Sequence, residues 1–73
     1  MVKIYSKPNC PSCTATYKFL EKLGVNYTSF DIEKDEDARE RAFSTGLKQL
    51  PIIEHGNKVW SGFNPTMLES LSA

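Results

Sequence analysis

The chain reads as an α/β protein with the element order β-α-β-α-β-β-α, and three observations carry that reading. A short apolar run, Val2-Lys3-Ile4-Tyr5, leads into a Cys-x-x-Cys pair at Cys10 and Cys13, after which apolar residues recur at helical spacing. A second strand-like run and a second helical run follow. Two β-rich segments then flank a Gly-Asn turn signal, the mark of a hairpin. A β-α-β opening demands a parallel strand pair with a right-handed crossover. The hairpin must add antiparallel strands to it, so the expected sheet is four-stranded and mixed, flanked by three helices. Residues 1–73 are too few for two cores and are read as one domain.

Each element has a local cause. Val2 to Ser6 is rich in β-formers and forms the first strand. Pro8 and Asn9 break it, and Pro11 suits the first turn of a helix. Thr16, Phe19, Leu20 and Leu23 then fall at i, i+3, i+4 and i+7, an amphipathic helix from Pro11 to Leu23, with Gly24 where a C-cap glycine belongs. Asn26 to Ile32 reads as the second strand. Asp35 caps a helix with an acidic first turn, running to Ser44 and carrying Ala38, Ala42 and Phe43. Ile52-Ile53-Glu54 and Lys58-Val59-Trp60 flank a His55-Gly56-Asn57 turn. Asn64 caps a last short helix, with Pro65 first and Met67, Leu68 and Leu71 as its apolar face.

Composition narrows the function classes. Nine basic and nine acidic side chains cancel, which argues against a nucleic-acid or membrane-surface protein. No run approaches the apolar length of a spanning helix, and the first residues are too short and polar for a secretory h-region. The expected compartment is the cytoplasm, where disulfides are usually transient and catalytic. No cofactor is expected, and the protein is expected to be a monomer.

The two cysteines sit where thiol chemistry is favoured. A thiolate, not a thiol, attacks a disulfide, and a helix N-terminus stabilises that anion through free N–H groups and the dipole. Cys10 stands there. Lys7 is near enough in sequence to add positive charge, and the Ser12 backbone or hydroxyl can donate a further hydrogen bond. Cys13, one turn inward, should be more buried and less acidic. Cys10 is therefore read as the nucleophile and Cys13 as the resolving thiol.

Competing readings are weaker. Zinc needs about four ligands, whereas the chain offers two cysteines and one distant histidine. A purely structural disulfide closing so short a loop contributes roughly 2 kcal/mol, against nearly 5 for a loop of a hundred residues. An iron–sulfur or metal carrier sharing ligands between two chains stays open as a third alternative. The acidic run from Glu33 to Asp37 reads as an exposed helix start, and His55 as a solvated turn residue. Composition alone leaves Trp60 and Phe63 balanced between core and partner-facing surface.

The segment Tyr5-Ser6-Lys7-Pro8-Asn9-Cys10-Pro11-Ser12-Cys13 resembles the glutaredoxin active-site segment, and Leu50-Pro51 falls where the thioredoxin superfamily carries a cis-proline. The likeness spans essentially the whole chain and implies a thioredoxin fold of glutaredoxin type. It also implies that Leu50 presents its backbone to an incoming extended peptide. Lys48-Gln49-Leu50-Pro51 together with Trp60-Ser61-Gly62-Phe63-Asn64-Pro65 is similar to the NrdH-redoxins, glutaredoxin-like electron donors to class Ib ribonucleotide reductase. Such proteins are reduced by thioredoxin reductase rather than by glutathione.

Two departures bear on the reductant. Glutaredoxins that bind glutathione usually carry Gly-Gly and an acidic residue near the last helix, where the acid holds the tripeptide's ammonium. Ser61-Gly62-Phe63-Asn64-Pro65 has no carboxylate there. Conversely, Pro11-Ser12 is closer to ordinary glutaredoxins than to the Val-Gln common in NrdH-redoxins. The resemblance thus implies a dithiol–disulfide oxidoreductase whose partners are the large subunit of ribonucleotide reductase and thioredoxin reductase. Glutathione is the alternative reductant. Lys48, Gln49, Leu50 and Pro51 would shape the substrate groove, with Trp60, Ser61, Gly62 and Phe63 as the partner-facing loop.

Overall fold

The computed structural model describes residues 1–72. Their element order is β1 (Val2–Ser6), α1 (Pro11–Leu23), β2 (Thr28–Asp31), α2 (Glu36–Ser44), β3 (Ile52–His55), β4 (Lys58–Ser61) and α3 (Pro65–Glu69), closed by a 3-10 turn at Ser70–Ser72. The four strands form one mixed sheet in the order β2-β1-β3-β4. β1 and β2 are parallel, while β3 is antiparallel to both β1 and β4. The β-α-β-α-β-β-α order and the mixed four-stranded sheet agree with the expectation from sequence.

Strand alternation divides the core into two layers. On one face Val2, Ile4, Ile53 and Trp60 meet Leu20 of α1 and Leu68 of α3, with Phe19, Met67 and Leu71 packed at the margin. On the other face Tyr5 and Ile52 meet Ala38 and Ala42 of α2, with Phe30, Leu47 and Leu50 beside them. Successive strand residues point to opposite faces, which is why Ile52 and Ile53 serve different layers.

The helix ends follow local chemistry. Asp35 Oδ1 accepts the Ala38 N–H at 3.0 Å, and Asn64 Oδ1 accepts the Met67 N–H at 3.2 Å. Gly24 closes α1 at φ 73°, a left-handed conformation that glycine adopts without a Cβ clash.

Three expectations need correction. β2 begins at Thr28 rather than Asn26, and Tyr27, just before it, stacks on Tyr17 of α1 at 5.3 Å. His55 is the last residue of β3, paired with Lys58, so the turn is Gly56-Asn57 alone. Of the three residues noted on α2, Phe43 is 68% exposed. Ala38 and Ala42, four residues apart, define the apolar face of the helix, and Phe43 lies a further 100° or so around it. Trp60 is only 9% exposed and belongs to the core rather than to a partner-facing loop. It pairs with Ile53, whose side chain already faces α1 and α3, so the pleat turns Trp60 inward.

Candidate active site

One end of the sheet collects the residues that carry chemistry. β1 runs out at Ser6, opposite Asp31 of β2, and its neighbour pairing Tyr5↔Ile52 brings the start of β3 to the same end. Ile52 pairs in turn with Ser61, and the Gly62 N–H donates to the Pro51 carbonyl at 2.9 Å, extending the ladder by one bond. The Lys7–Asn9 connection, the Lys48–Pro51 segment and the Gly62–Asn64 segment therefore all leave the sheet at one end. α1 begins there as well.

Cys10 is the N-cap of α1, in extended conformation at φ −116°, with Pro11 in the first turn. Cys10 and Cys13 are joined as a disulfide with Cα atoms 5.2 Å apart. The Cys13 N–H donates to Cys10 Sγ at 3.2 Å, and the Thr14 N–H and hydroxyl both donate to the Cys10 carbonyl, at 3.1 and 3.3 Å. The first turn carries no acidic residue, so no carboxylate of that turn opposes a negative charge on the sulfur. An N–H aimed at the sulfur and the positive end of the helix dipole favour a thiolate once the disulfide opens.

Burial separates the two sulfurs. Cys10 is half-buried, while Cys13 is 2% exposed. Pro11 is exposed and Ser12 half-buried. The donor to Cys10 Sγ is the Cys13 N–H; the Ser12 carbonyl instead accepts from the Thr16 hydroxyl at 2.8 Å. Lys7 is exposed and forms no ion pair among the described residues.

The Leu50–Pro51 peptide bond is cis, and Pro51 is buried. Leu50 packs against the cluster of Tyr5, Ala38, Ala42 and Ile52, and its backbone N–H and carbonyl pair with no other group among the described residues. Lys48 and Gln49 are exposed. Gly62 has φ 80°, a left-handed conformation that favours glycine, and its Cα side faces the movable Gln49 side chain, whose Oε1 would stand 3.0 Å from a Cβ there. Phe63, 41% exposed, sets its ring edge-on to Phe19 of α1, with centroids 5.8 Å apart. Ser61 is half-buried at the end of β4. Trp60 stands apart from this surface, and its buried Nε1–H has no partner among the described residues.

The profile of the glutaredoxin family matches residues 2–60. The chain belongs to the glutaredoxin family. Members of the family are thiol–disulfide oxidoreductases, and the Cys10–Cys13 disulfide at a helix start fits that chemistry. Among its relatives, the glutaredoxin-like protein NrdH of Salmonella typhimurium is 33% identical over 70 residues, covering 96% of this chain and 86% of that one. The solved NrdH-redoxin of Escherichia coli superposes with a TM-score of 0.91 at 31% identity, over 96% of this chain and 92% of that one. The thioredoxin-like protein BC3987 superposes with a TM-score of 0.87 at 30% identity, over 97% and 99% of the two chains. The architecture is thus the thioredoxin fold in its glutaredoxin form.

Within this oxidoreductase two groups were not legible in sequence. Ser6 and Tyr17 hydrogen-bond to each other across β1 and α1, and Asn9 adopts a left-handed φ of 59°. Nothing in the spacing pairs Ser6 with Tyr17; only the crossover brings them together. Two surface clefts, of about 600 and 370 Å³, lie instead between β2 and α2, where Asp35 and Asp37 line both. Neither borders the dithiol. Among the described residues no group of three or more His, Cys, Asp or Glu side chains converges as a metal site would require.

Proposed function

We propose that the protein is an NrdH-type electron carrier. Cys10 and Cys13 would reduce a disulfide of the ribonucleotide reductase large subunit, and a thioredoxin reductase would reduce them in return. The Cys10 thiolate attacks one sulfur of the substrate disulfide; the substrate S–S bond breaks, and the departing thiolate takes up a proton. The mixed disulfide is then attacked by the Cys13 thiolate at Cys10 Sγ, releasing the second substrate thiolate. Two electrons pass to the substrate, and the Cys10–Cys13 bond re-forms. Cys10 suits the first attack because it is the more accessible sulfur and receives an N–H, whereas the buried Cys13 suits the second.

The observation that carries the partner assignment is the Gly62–Asn64 segment. It leaves the sheet at the dithiol end, offers Phe63 as an exposed aromatic on α1, and contains no carboxylate for a glutathione ammonium. The names of the relatives support the same reading, and the Escherichia coli NrdH-redoxin is described as having a thioredoxin-like activity profile. Lys48, Gln49, Leu50 and Pro51 would form the opposite wall, with the free Leu50 backbone pairing to an extended substrate segment. Lys7 would add positive charge near the thiolate.

A second reading has its own observation. Pro11-Ser12 resembles ordinary glutaredoxins, and exposed Lys7 and Lys48 remain available to glutathione carboxylates. The two readings separate in one assay with a common reporter disulfide. NADPH with thioredoxin reductase should sustain turnover, and glutathione with glutathione reductase should be at least tenfold less effective. Turnover with the glutathione couple alone would replace the NrdH assignment by a glutathione-dependent one.

A further inference from the structure

Tyr17 belongs to α1 one turn beyond Cys13, and its hydroxyl is hydrogen-bonded to Ser6 Oγ. Ser6 is the last residue of β1 and 7% exposed. Its carbonyl accepts the Ile32 N–H at 2.9 Å, and its Oγ donates to the Phe30 carbonyl at 3.5 Å. A serine hydroxyl has a single proton and Tyr17 another, so either oxygen can donate in the Ser6–Tyr17 pair while the Phe30 carbonyl stands at the outer limit of hydrogen-bond distance from Ser6 Oγ. The Tyr17 ring is itself held by stacking on Tyr27. The bond therefore fastens α1 to the end of β1, and through Ser6 to β2.

Between the two fastened points lies the active-site turn. Only Lys7, Pro8 and Asn9 link Ser6 to Cys10, and Asn9 stands in the left-handed region at φ 59°. Asparagine tolerates that region better than other non-glycine residues, so the short connection takes a tight left-handed turn there. In the oxidised protein the disulfide also holds Cys10 at the start of α1. Once it opens, the local hydrogen bonds at Cys10 and the fastening of the flanking elements are what remain.

We propose that the Tyr17 hydroxyl is a positioning group for the dithiol, acting through Ser6 to hold the Lys7–Asn9 connection so that Cys10 stays at the helix start when the disulfide is reduced. The proposal rests on the thiol–disulfide reading above and adds a residue to it. Its consequence is asymmetric. Losing the bond weakens the reduced form, whose thiolate depends on the Cys13 N–H and the helix dipole, more than the oxidised form, which is held covalently. The Cys10 thiolate then forms less readily, and the equilibrium shifts toward the disulfide.

The test uses the full chain as wild type, Tyr17→Phe, Ser6→Ala and the double variant, with Tyr27→Phe as a control that loses a phenol from the same aromatic stack. The rate of Cys10 alkylation by iodoacetamide is followed against pH. The Cys10–Cys13 equilibrium is measured against a thioredoxin of known potential. Tyr17→Phe should slow alkylation at neutral pH about fivefold, the size of one net hydrogen bond, by moving the profile to higher pH. The disulfide should become about fivefold harder to reduce, roughly 20 mV more negative for a two-electron couple. Ser6→Ala should do the same, the double variant no more than either single one, and Tyr27→Phe nothing. If Tyr17→Phe fails to fold, the Ser6→Ala shift decides.

An unchanged alkylation profile and potential in Tyr17→Phe, even with a lower Tm, would overturn the positioning role. So would effects of the two single variants that simply add. A wild-type protein that alkylates normally yet exchanges with no disulfide would instead remove the oxidoreductase reading, and the alkylation profiles alone would then decide on Tyr17.

Discussion

The dithiol turn and the Gly62–Asn64 segment leave the sheet at the same end, yet they are built on opposite principles. Cys10 is fixed mainly by backbone: an N-cap conformation, an N–H from Cys13, and the Thr14 N–H to its carbonyl, which the Thr14 hydroxyl joins. Phe63 is fixed by little more than one edge-on contact with Phe19 and keeps 41% of its surface exposed. The chemistry thus sits on a rigid helix start, where geometry sets the thiolate, while the surface that would choose the partner remains open. A reaction common to a family needs the first kind of construction, and a choice among partners needs the second.

The largest effect should come from the turn itself. Cys10→Ser should abolish disulfide reduction to the background of the uncatalysed exchange, with the fold intact by circular dichroism, because the serine hydroxyl is not ionised near neutral pH. Phe63→Ala should act differently. Turnover at saturating thioredoxin reductase should be nearly unchanged, while KM for that reductase should rise about five- to thirtyfold, the range of an aromatic interface residue costing about 1–2 kcal/mol on truncation. Equal loss of kcat in both variants would erase the distinction between reaction and recognition.

A residue on the opposite face supplies the smallest effect. Tyr5 donates to Glu54 Oε1 at 3.3 Å, and Glu54 is paired with Arg41 of α2 at 3.1 Å. Burial pushes the Tyr5 phenol above its ordinary value of 10.0, and the Glu54 charge and hydrogen bond push it the same way, against a smaller opposing pull from Arg41. A raised phenol pKa means that the folded state holds the proton more tightly than the unfolded chain. The associated stability is fully present below about pH 10 and is lost as pH rises from there through the folded-state value. Tyr5→Phe should flatten the alkaline fall of Tm and leave disulfide exchange at neutral pH unchanged. A change in exchange rate would tie the two faces together.

What was legible beforehand followed from local chemistry. Pro11 and Gly24 bracketed α1, and Asp35, Asn64 and Pro65 marked the starts of α2 and α3, because capping depends on a few adjacent residues. The Cys-x-x-Cys pair announced its chemistry for the same reason. The residues that were not legible are those decided by distant neighbours. Trp60 is buried because it stands opposite Ile53, and Phe43 is exposed because Ala38 and Ala42 already fill the contact with Tyr5 and Ile52. Tyr27 stacks on Tyr17, and Ser6 bonds that same Tyr17, only because the crossover lays α1 along β1. The proposed partner rests chiefly on resemblance, since an exposed Phe63 has no local signature that separates it from core.

The most direct test of the account is to trap its intermediate. Reduced Cys13→Ser protein is mixed with an oxidised ribonucleotide reductase large subunit and analysed by non-reducing electrophoresis and mass spectrometry. A covalent adduct joined through Cys10, released by dithiothreitol and absent with Cys10→Ser, is the predicted result. No adduct under conditions where the wild type reduces the same subunit would contradict the assigned order of attack.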